Sequence, residues 1–525
     1  MTRLNQLPTL RIDPSRKLSL SYRGKTYQGV AGDTVATALY ANGVRVFARS
    51  LKYHRPRGLY SLDGECSNTC MDVNGVPNVR TENTLLENGM VVKAQNVVGS
   101  ADQDWMAFMD KMDWMMPAGF YYKTMHKPAA VWPLAMKRVR KAAGLGVIAP
   151  DYVMKGHYDE LYLTAEVTVI GGGAAGMTAA LAAAESGQRV ILLEARPHLG
   201  GCFDYRVTPS ADGIPLYQRA RSLADKVART GNIRVFRHTP MVGAYSNNLI
   251  TAFQVGGPDD AFTERYVEIR SQSVVVATGC IERPLIFEHN ERPGVMQVGC
   301  AHRMARTYGL LPGNEAVFSV GHDLGLEAAV DLASLGLKVN CVADIREDGQ
   351  HPELLLALAK RNIPVLKGWV AAKAHGAKQV EKVTLATVEG TVTHDFPCDL
   401  LVASAGLTPV TGPFVLAQAK MRYDSHTGYF LPDELPEKMF PAGRITGINT
   451  PAAIEASGRL AGLKAASAAG ADLQSAVAEA EKAAAALPGP ERGCKLVTAP
   501  VKGRKSFICF DEDATIKSVK QAIDK

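Results

Sequence analysis

Six residues constrain this chain more than any others. They are Gly171-Gly172-Gly173-Ala174-Ala175-Gly176, and they follow the short β-branched run Val167-Thr168-Val169-Ile170. A strand that ends in G-x-G-x-x-G and opens directly into a helix is a phosphate-binding turn. Gly171 allows the tight turn, Gly173 lets the backbone approach a pyrophosphate, and Gly176 lets helix and strand pack closely. The N–H groups and the dipole at the helix start then favour an anion. Support comes from Glu194, about 20 residues on, at the end of the next strand (Arg189 to Leu193), where a carboxylate can accept hydrogen bonds from ribose hydroxyls. An acid there disfavours a ribose 2′-phosphate. Arg196 and the pair Gly200-Gly201 follow.

The remaining pattern is an alternation of strands and helices, which implies an α/β fold with a parallel sheet. An Ala-rich helix is expected to about Glu185. A second cycle runs through a strand at Ala316 to Val320, a helix from about Leu324 to Leu335 and a strand at Lys338 to Ala343. Its turn, Gly321-His322-Asp323-Leu324-Gly325, lacks the full glycine spacing, and Asp323 is expected to repel a pyrophosphate. Val274 to Gly279 and Phe440 to Gly447 both read as buried strands ending at glycine. They place Gly279 and Gly443 near the cofactor and mark a Rossmann-type domain interrupted by a second, degenerate dinucleotide-like domain. The division expected is 1–100, a small β-rich module; 101–160, a connecting arm; 161–300 with 395–470, the dinucleotide-binding domain; 301–394, the insertion; and 471–525, a linker and a partial small domain.

In the first module, Leu18 to Tyr22 and Thr26 to Val30 form a hairpin around Arg23-Gly24-Lys25. Asp33 or Thr34 caps a helix through Tyr40 that ends at Gly43, and Asn74-Gly75 makes a second hairpin turn. The arm carries Trp105, Trp114, Trp132 and the basic run Lys137 to Lys141, which reads as interdomain packing or a partner surface. His54, just before the arginines 55 and 57, reads as a phosphate or interface patch or as a solvated basic loop.

Composition excludes several classes. The net charge of +7, from 59 basic and 52 acidic residues, is too diffuse for a nucleic-acid binder. No apolar stretch approaches the roughly 18 residues that cross a bilayer, and Met1 to Arg11 lacks the apolar segment of a secretory signal. Nine scattered cysteines, such as Cys280, Cys300 and Cys341, read as buried thiols in a reducing cytoplasm. His322 and His426 have no neighbours at metal-ligand spacing, so no metal site is expected. No G-x-S-x-G, Walker A or H-E-x-x-H motif occurs.

Two segments carry a family resemblance. One is Ala277-Thr278-Gly279-Cys280-Ile281-Glu282-Arg283-Pro284-Leu285 with Asn290-Glu291-Arg292-Pro293-Gly294-Val295-Met296; the other is Lys52-Tyr53-His54-Arg55-Pro56-Arg57-Gly58. Both are similar to the α subunits of heterotetrameric sarcosine oxidases, a family related to α subunits of opine oxidases, proline and hydroxyproline dehydrogenases and hydrogen cyanide synthase. The resemblance runs from about residue 17 to the C-terminus. It implies NAD (or FAD) on the Rossmann domain, an FMN at a subunit interface, and a β-type partner subunit that binds FAD and oxidises the amine. By position it implies dinucleotide contacts at Ala174, Glu194, Ala195, Arg196, Cys202, Met241, Gly443, Ile448 and Thr450, and it puts the amine-oxidising residues on another chain. Small additional subunits and a separate folate-binding chain are further implied partners.

The resemblance also implies a ferredoxin-like N-terminal domain, whose iron–sulfur relatives use four cysteines. Cys66 and Cys70 are the only cysteines before Cys202, and two thiolates do not complete a cluster. Cys509-Phe510-Asp511-Glu512-Asp513 stands where cluster-binding relatives have several cysteines. The expected function is therefore the α-type subunit of a flavin-dependent oxidoreductase acting on sarcosine or a similar secondary or N-methyl amino acid. Two readings compete: a self-sufficient FAD-dependent NAD(P)H oxidoreductase, and a non-catalytic nucleotide-binding scaffold. The degenerate second fingerprint and the lack of a C-x₄-C pair after the first glycine turn speak against the former.

Overall fold

The structure is a computed structural model that describes residues 3–64, 66–115, 127, 129–142, 146–147, 149–257, 260–494, 498–500 and 505–524. The chain divides into two compact units. One holds Met1–Tyr152, Glu282–Gly406 and Leu496–Lys525; the other holds Val153–Ile281 and Leu407–Lys495.

In the first unit, strands β1 (Asp13–Tyr22) and β2 (Lys25–Ala31) form the expected hairpin, with Arg23 and Gly24 both at positive φ. Helix α1 (Val35–Ala41) starts at Thr34, whose hydroxyl accepts from the Thr37 N–H at 3.2 Å while the Thr34 N–H donates to Thr37 Oγ1 at 2.9 Å. This reciprocal cap stabilises a two-turn helix by about 1 kcal/mol. Strands β3 (Cys70–Val73) and β4 (Val76–Arg80) turn at Asn74 (φ 53°) and Gly75 (φ 86°), and β5 (Met90–Ala94) completes a sheet of order β2-β1-β5-β3-β4.

The basic segment 52–58 is not a solvated loop. His54, Arg55 and Arg57 are all buried. His54 Nδ1 lies 2.6 Å from Asp104, Arg55 pairs with Asp110 (2.5 Å), and Arg57 pairs with Asp513 (2.6 Å). Burial of the two guanidinium groups is tolerated because each has a carboxylate. In the arm, Trp105 is 82% exposed. The side chains of Trp114 and of the run 138–141 lie outside the described residues.

The second unit begins with β6 (Tyr158–Ile170), which is longer than the expected Val167 to Ile170. Its first half alternates, with Leu161, Leu163 and Ala165 turned to one face, and that alternation marks a half-exposed strand. Then follow helix α2 (Ala174–Glu185), β7 (Val190–Leu193), β8 (Ile233–Phe236), β9 (Met241–Tyr245), β10 (Leu249–Val255) and β11 (Glu264–Val276). Strands β8, β7, β6 and β11 lie side by side and parallel, whereas β10 and β9 continue from β11 as antiparallel strands.

The chain then re-enters the first unit. Strand β12 (Val295–Met296), helix α3 (Val298–Tyr308), β13 (Glu315–Val320), helix α4 (Asp323–Ser334), β14 (Lys338–Asp344), β15 (Val365–Lys367) and β16 (Leu400–Ser404) build a parallel sheet of order β12-β16-β13-β14-β15. This sheet takes in strands on both sides of 301–394. Its helices share one core with the N-terminal module, in which Leu39, Phe47 and Met71 join Met304, Phe318 and Leu326.

Returning to the second unit, the chain adds β17 (Met439–Pro441), parallel to β11, and helix α5 (Pro451–Ala468). Among the described residues, no helix is long and apolar enough to cross a membrane.

Candidate functional site

The C-terminal ends of β7, β6, β11 and β17 form one edge of the sheet in the second unit, and nearly every residue singled out for dinucleotide binding lies there. In an open parallel sheet this edge is where ligands bind. The chain leaves β6 through Gly171 at φ 104°, a conformation that disfavours any side chain, and the Gly171 N–H donates to the Leu193 carbonyl at 2.8 Å. A Cβ on Gly171 would stand 2.5 Å from the Ala277 carbonyl oxygen, and one on Gly176 would run into the carbonyl oxygen of Gly171. These two glycines are therefore demanded by the turn itself.

Gly173 is different, because a Cβ there would meet only the Gly201 Cα, at 3.9 Å. Its own packing tolerates a side chain, so its smallness serves the space in front of the helix. Gly173 also caps α2 without a side chain, and the first turn reads Ala174, Ala175, Gly176. The N–H groups of that turn have no intrahelical acceptors, and no acidic side chain stands among them. Gly200 pairs alongside, its N–H donating to the Gly172 carbonyl at 2.9 Å, and a Cβ on Gly201 would lie 2.9 Å from the Gly173 Cα. The second glycine pair thus lies against the first.

Glu194 has a structural duty that its position alone did not reveal. Oε2 accepts from the Gly172 N–H and Oε1 from the Arg196 N–H, each at 2.8 Å. The carboxylate pins the glycine loop to the next strand, and each oxygen keeps a second lone pair for a ribose hydroxyl. Burial pushes its pKa up, opposed by the charge of Arg196 and the two N–H donors. Ala195 is exposed beside it. Thr239 donates its N–H to the Glu194 carbonyl at 2.8 Å, which brings Met241, the first residue of β9, to this side. Cys202 sits in the turn Gly201–Phe203 and packs against the α2 core, as does Ile448.

On the other flank, Gly279 (φ 70°) ends the turn after β11, and its carbonyl accepts from the Val410 N–H at 2.9 Å. Gly443 (φ 73°) follows β17; a Cβ on it would lie 2.6 Å from the Ala175 Cβ, and its N–H donates to Ser457 Oγ at 3.0 Å. Thr450 is the N-cap of α5 but makes no cap bond, and its buried Oγ1 has no hydrogen-bond partner among the described residues. Ser457, Gly458 and Gly462 were not anticipated. A Cβ at Gly458 would strike the Ala175 carbonyl, and one at Gly462 the Ala179 carbonyl. Their spacing of four along one helix face was the available signal, since it lets two helix backbones touch.

In the first unit, the turn between β13 and α4 has the opposite character. Arg346 pairs with Asp344 through Nε (3.0 Å) and Nη2 (2.8 Å) and with Asp323 through Nη2 (2.7 Å). Asp323 shares the Arg346 guanidinium with Asp344, so two carboxylates divide one cation and the expected repulsion of a pyrophosphate is not cancelled. His322 Nε2 lies 2.8 Å from Ser404 Oγ.

The cysteine set of the N-terminal module does not fit an iron–sulfur cluster. Burial pushes the thiol pKa of both Cys66 and Cys70 up, away from the thiolate that ligates iron, and two donors fall short of four. None of the nine cysteines is in a disulfide.

Comparisons with known proteins agree with this architecture. Residues 15–97 match the family model of a 2Fe-2S iron-sulfur cluster binding domain, so the module has that fold with an incomplete donor set. The chain is similar to the sarcosine oxidase subunit alpha of Rhizobium meliloti (strain 1021), 33% identical over 64% of this chain and 35% of that protein. It is also similar to the one from Corynebacterium sp. (strain U-96), 28% identical over 98% of this chain and 50% of that protein. The resemblance read from segments 52–58 and 277–296 thus extends along nearly the whole chain, which spans half or less of the length of these relatives. The structure of L-proline dehydrogenase from P. horikoshii shares the fold, with a TM-score of 0.67 at 19% identity over 99% of this chain and 87% of that one. Residues 165–441, more than half of the sequence, match the pyridine nucleotide-disulphide oxidoreductase model, and the chain belongs to that family.

Proposed function

We propose that this chain is the dinucleotide-holding α-type subunit of a multi-subunit flavin-dependent amine oxidoreductase that acts on sarcosine or a similar secondary or N-methyl amino acid. The observation that carries the reading is the open glycine turn: Gly173 has room in front of it, at a helix start whose N–H groups want an anion, beside a buried Glu194. The donor set suits an ADP-containing dinucleotide, NAD or FAD. In this reading the pyrophosphate lies on Gly171, Gly173, Ala174 and Gly176. The adenosine lies toward Glu194, Ala195, Arg196 and Met241. The other half lies toward Cys202, Gly279, Gly443, Ile448 and Thr450.

When bound, a dinucleotide or flavin supplies the redox chemistry; these residues hold it, orient it and exclude water. The names of the relatives, each a subunit alpha, support partners of a different kind. We assign amine oxidation to a β-type FAD subunit, with an FMN at the interface. A set of cysteines without disulfides fits a cytoplasmic complex.

The test is purification with co-expressed partners, an absorbance spectrum, and acid release of cofactors with identification by mass. NAD, FMN and FAD together with turnover of sarcosine support the assignment. FAD on the isolated chain alone, bleached by NADH, overturns it in favour of a self-sufficient reductase.

A further inference from the structure

The turn after β17 contains a residue that neither the glycine fingerprint nor the family positions single out. Arg444 is 8% exposed, and its Nε and Nη2 are buried with no hydrogen-bond acceptor among the described residues. Those two nitrogens form the edge of a guanidinium that grips two oxygens at once. At three other arginines that edge is filled by a carboxylate: Arg265 holds Asp159 with it (2.6 and 2.7 Å), Arg346 holds Asp344 (3.0 and 2.8 Å), and Arg189 holds Glu166 (2.9 and 2.6 Å). A guanidinium does not lose its proton in a protein, so Arg444 carries a buried charge whose Nε/Nη2 edge meets no acceptor among the described residues. The neighbouring thiol does not serve: Cys280 Sγ donates to the Arg444 carbonyl oxygen at 3.4 Å, and burial pushes that thiol up to about 12, so it stays neutral.

Its place in the fold says what the charge is for. Gly443, one residue earlier, sits against Ala175 in the first turn of α2. Strand β17 is two strands from β6 across β11, roughly 10 Å at ordinary strand spacing. Glu194 lies on the opposite flank, at the end of β7. A dinucleotide laid across this edge with its adenosine toward Glu194 brings its second phosphate toward β17.

We propose that Arg444 binds that second phosphate, the one bonded to the non-adenine half of the dinucleotide, through its Nε/Nη2 edge. The buried Thr450 Oγ1 stands ready as a further donor on the same side. This inference rests on the dinucleotide reading above, and the two fail in different ways.

The experiment is calorimetric binding of AMP, ADP-ribose and NAD to the full chain, stripped of nucleotide, as wild type, Arg444→Met and Arg444→Lys, with thermal melts of each. Arg444→Met is expected to weaken ADP-ribose and NAD by about ten- to a hundredfold, the range of a charged bidentate contact. AMP, which lacks the second phosphate, is expected to change by less than about twofold. Arg444→Lys keeps charge but loses the two-pronged edge, and should fall between. Without nucleotide, Arg444→Met should melt at or above the wild-type temperature, because it removes a buried charge with an unfilled edge. An equal loss for AMP and ADP-ribose, unchanged ADP-ribose binding, or a variant that fails to fold each overturns the inference. A wild-type chain that binds none of the three, nor FAD, instead overturns the dinucleotide reading.

Discussion

The chain contains two strand–turn–helix units of one design, and they differ in what they leave open. In both, the third residue of the helix is glycine. A Cβ on Gly176 would run into the Gly171 carbonyl, and one on Gly325 would lie 2.5 Å from Val320 Cγ1. In both, an acid ends the next strand and accepts the N–H two residues later: Glu194 from Arg196 at 2.8 Å, Asp344 from Arg346 at 2.9 Å. The differences fall in front of the helix. The turn after β6 has Gly173 at the cap and alanine at the first helical position, and the turn after β13 has His322 and Asp323. The arginine side chain also goes elsewhere, since that of Arg346 folds back onto Asp344 and across to Asp323. The glycine that packs helix on strand is needed by the fold and persists. The glycine at the cap, which the packing does not require, is absent where an internal ion triad takes its place.

Removing the centre of that triad should have the largest effect. Arg346→Met leaves Asp344, which is fully buried, without a cation, and is expected to cost about 3–5 kcal/mol. Denaturant melts would show the loss, with dinucleotide content unchanged; a loss under about 1 kcal/mol would mean that the triad does not hold the turn after β13 together. The packing glycines come next. Gly176→Ala and Gly325→Ala should each cost about 1–3 kcal/mol as overpacking, but only the former should abolish cofactor retention, read as nucleotide released per chain. Equal cofactor loss from both would end the distinction between a binding and a closed unit.

The buried acids of the two units should respond to pH with opposite sign. Asp331, on α4, is pushed up by burial, but His302 and Arg306 outweigh this and hold its pKa at about 2. A lowered acid contributes stability above its unfolded pKa near 4 and loses it as pH falls toward 2, here about 2 kcal/mol. Asp331→Asn should flatten that acid limb in urea melts at graded pH. Glu194 has a raised pKa, so its contribution is complete below 4.5 and declines as pH rises through the folded value. Glu194→Gln should remove that decline, and a decline that persists would place the titrating group elsewhere. The smallest effect is expected from Asp323→Ala, whose side chain is 38% exposed. It should cost less than about 1 kcal/mol and should not create ADP-ribose binding, because His322 and the Asp344–Arg346 pair remain.

Much of the turn after β6 was legible because its physics is local. Three glycines after a strand and an acid about 20 residues on are constraints written within one supersecondary element. The rest depends on partners distant in sequence. Arg55 and Arg57 look like solvated charges until Asp513 is found beside them. Arg444 looks like any arginine after a glycine, since nothing local shows that it is buried. The first half of β6 went unread because its alternation, Leu161, Leu163 and Ala165 between polar residues, is weaker than the run that follows. Glu194 was placed correctly by spacing, but its grip on the Gly172 N–H shows only in three dimensions.

The contact of Gly458 and Gly462 with α2 sets a timetable for biosynthesis. The phosphate turn leaves the ribosome early, yet the helix that rests on Ala175 and Ala179, and the strand that closes the sheet beside β11, come from about 260 to 290 residues later. At about 5–20 residues per second, that gap lasts on the order of 15–60 seconds. Throughout it, the side of α2 at Ala175 and Ala179 lacks the cover that Gly458 and Gly462 give it later. Cofactor capture is thus a late event in the life of this polypeptide, and the nascent first half needs shelter until its second half arrives.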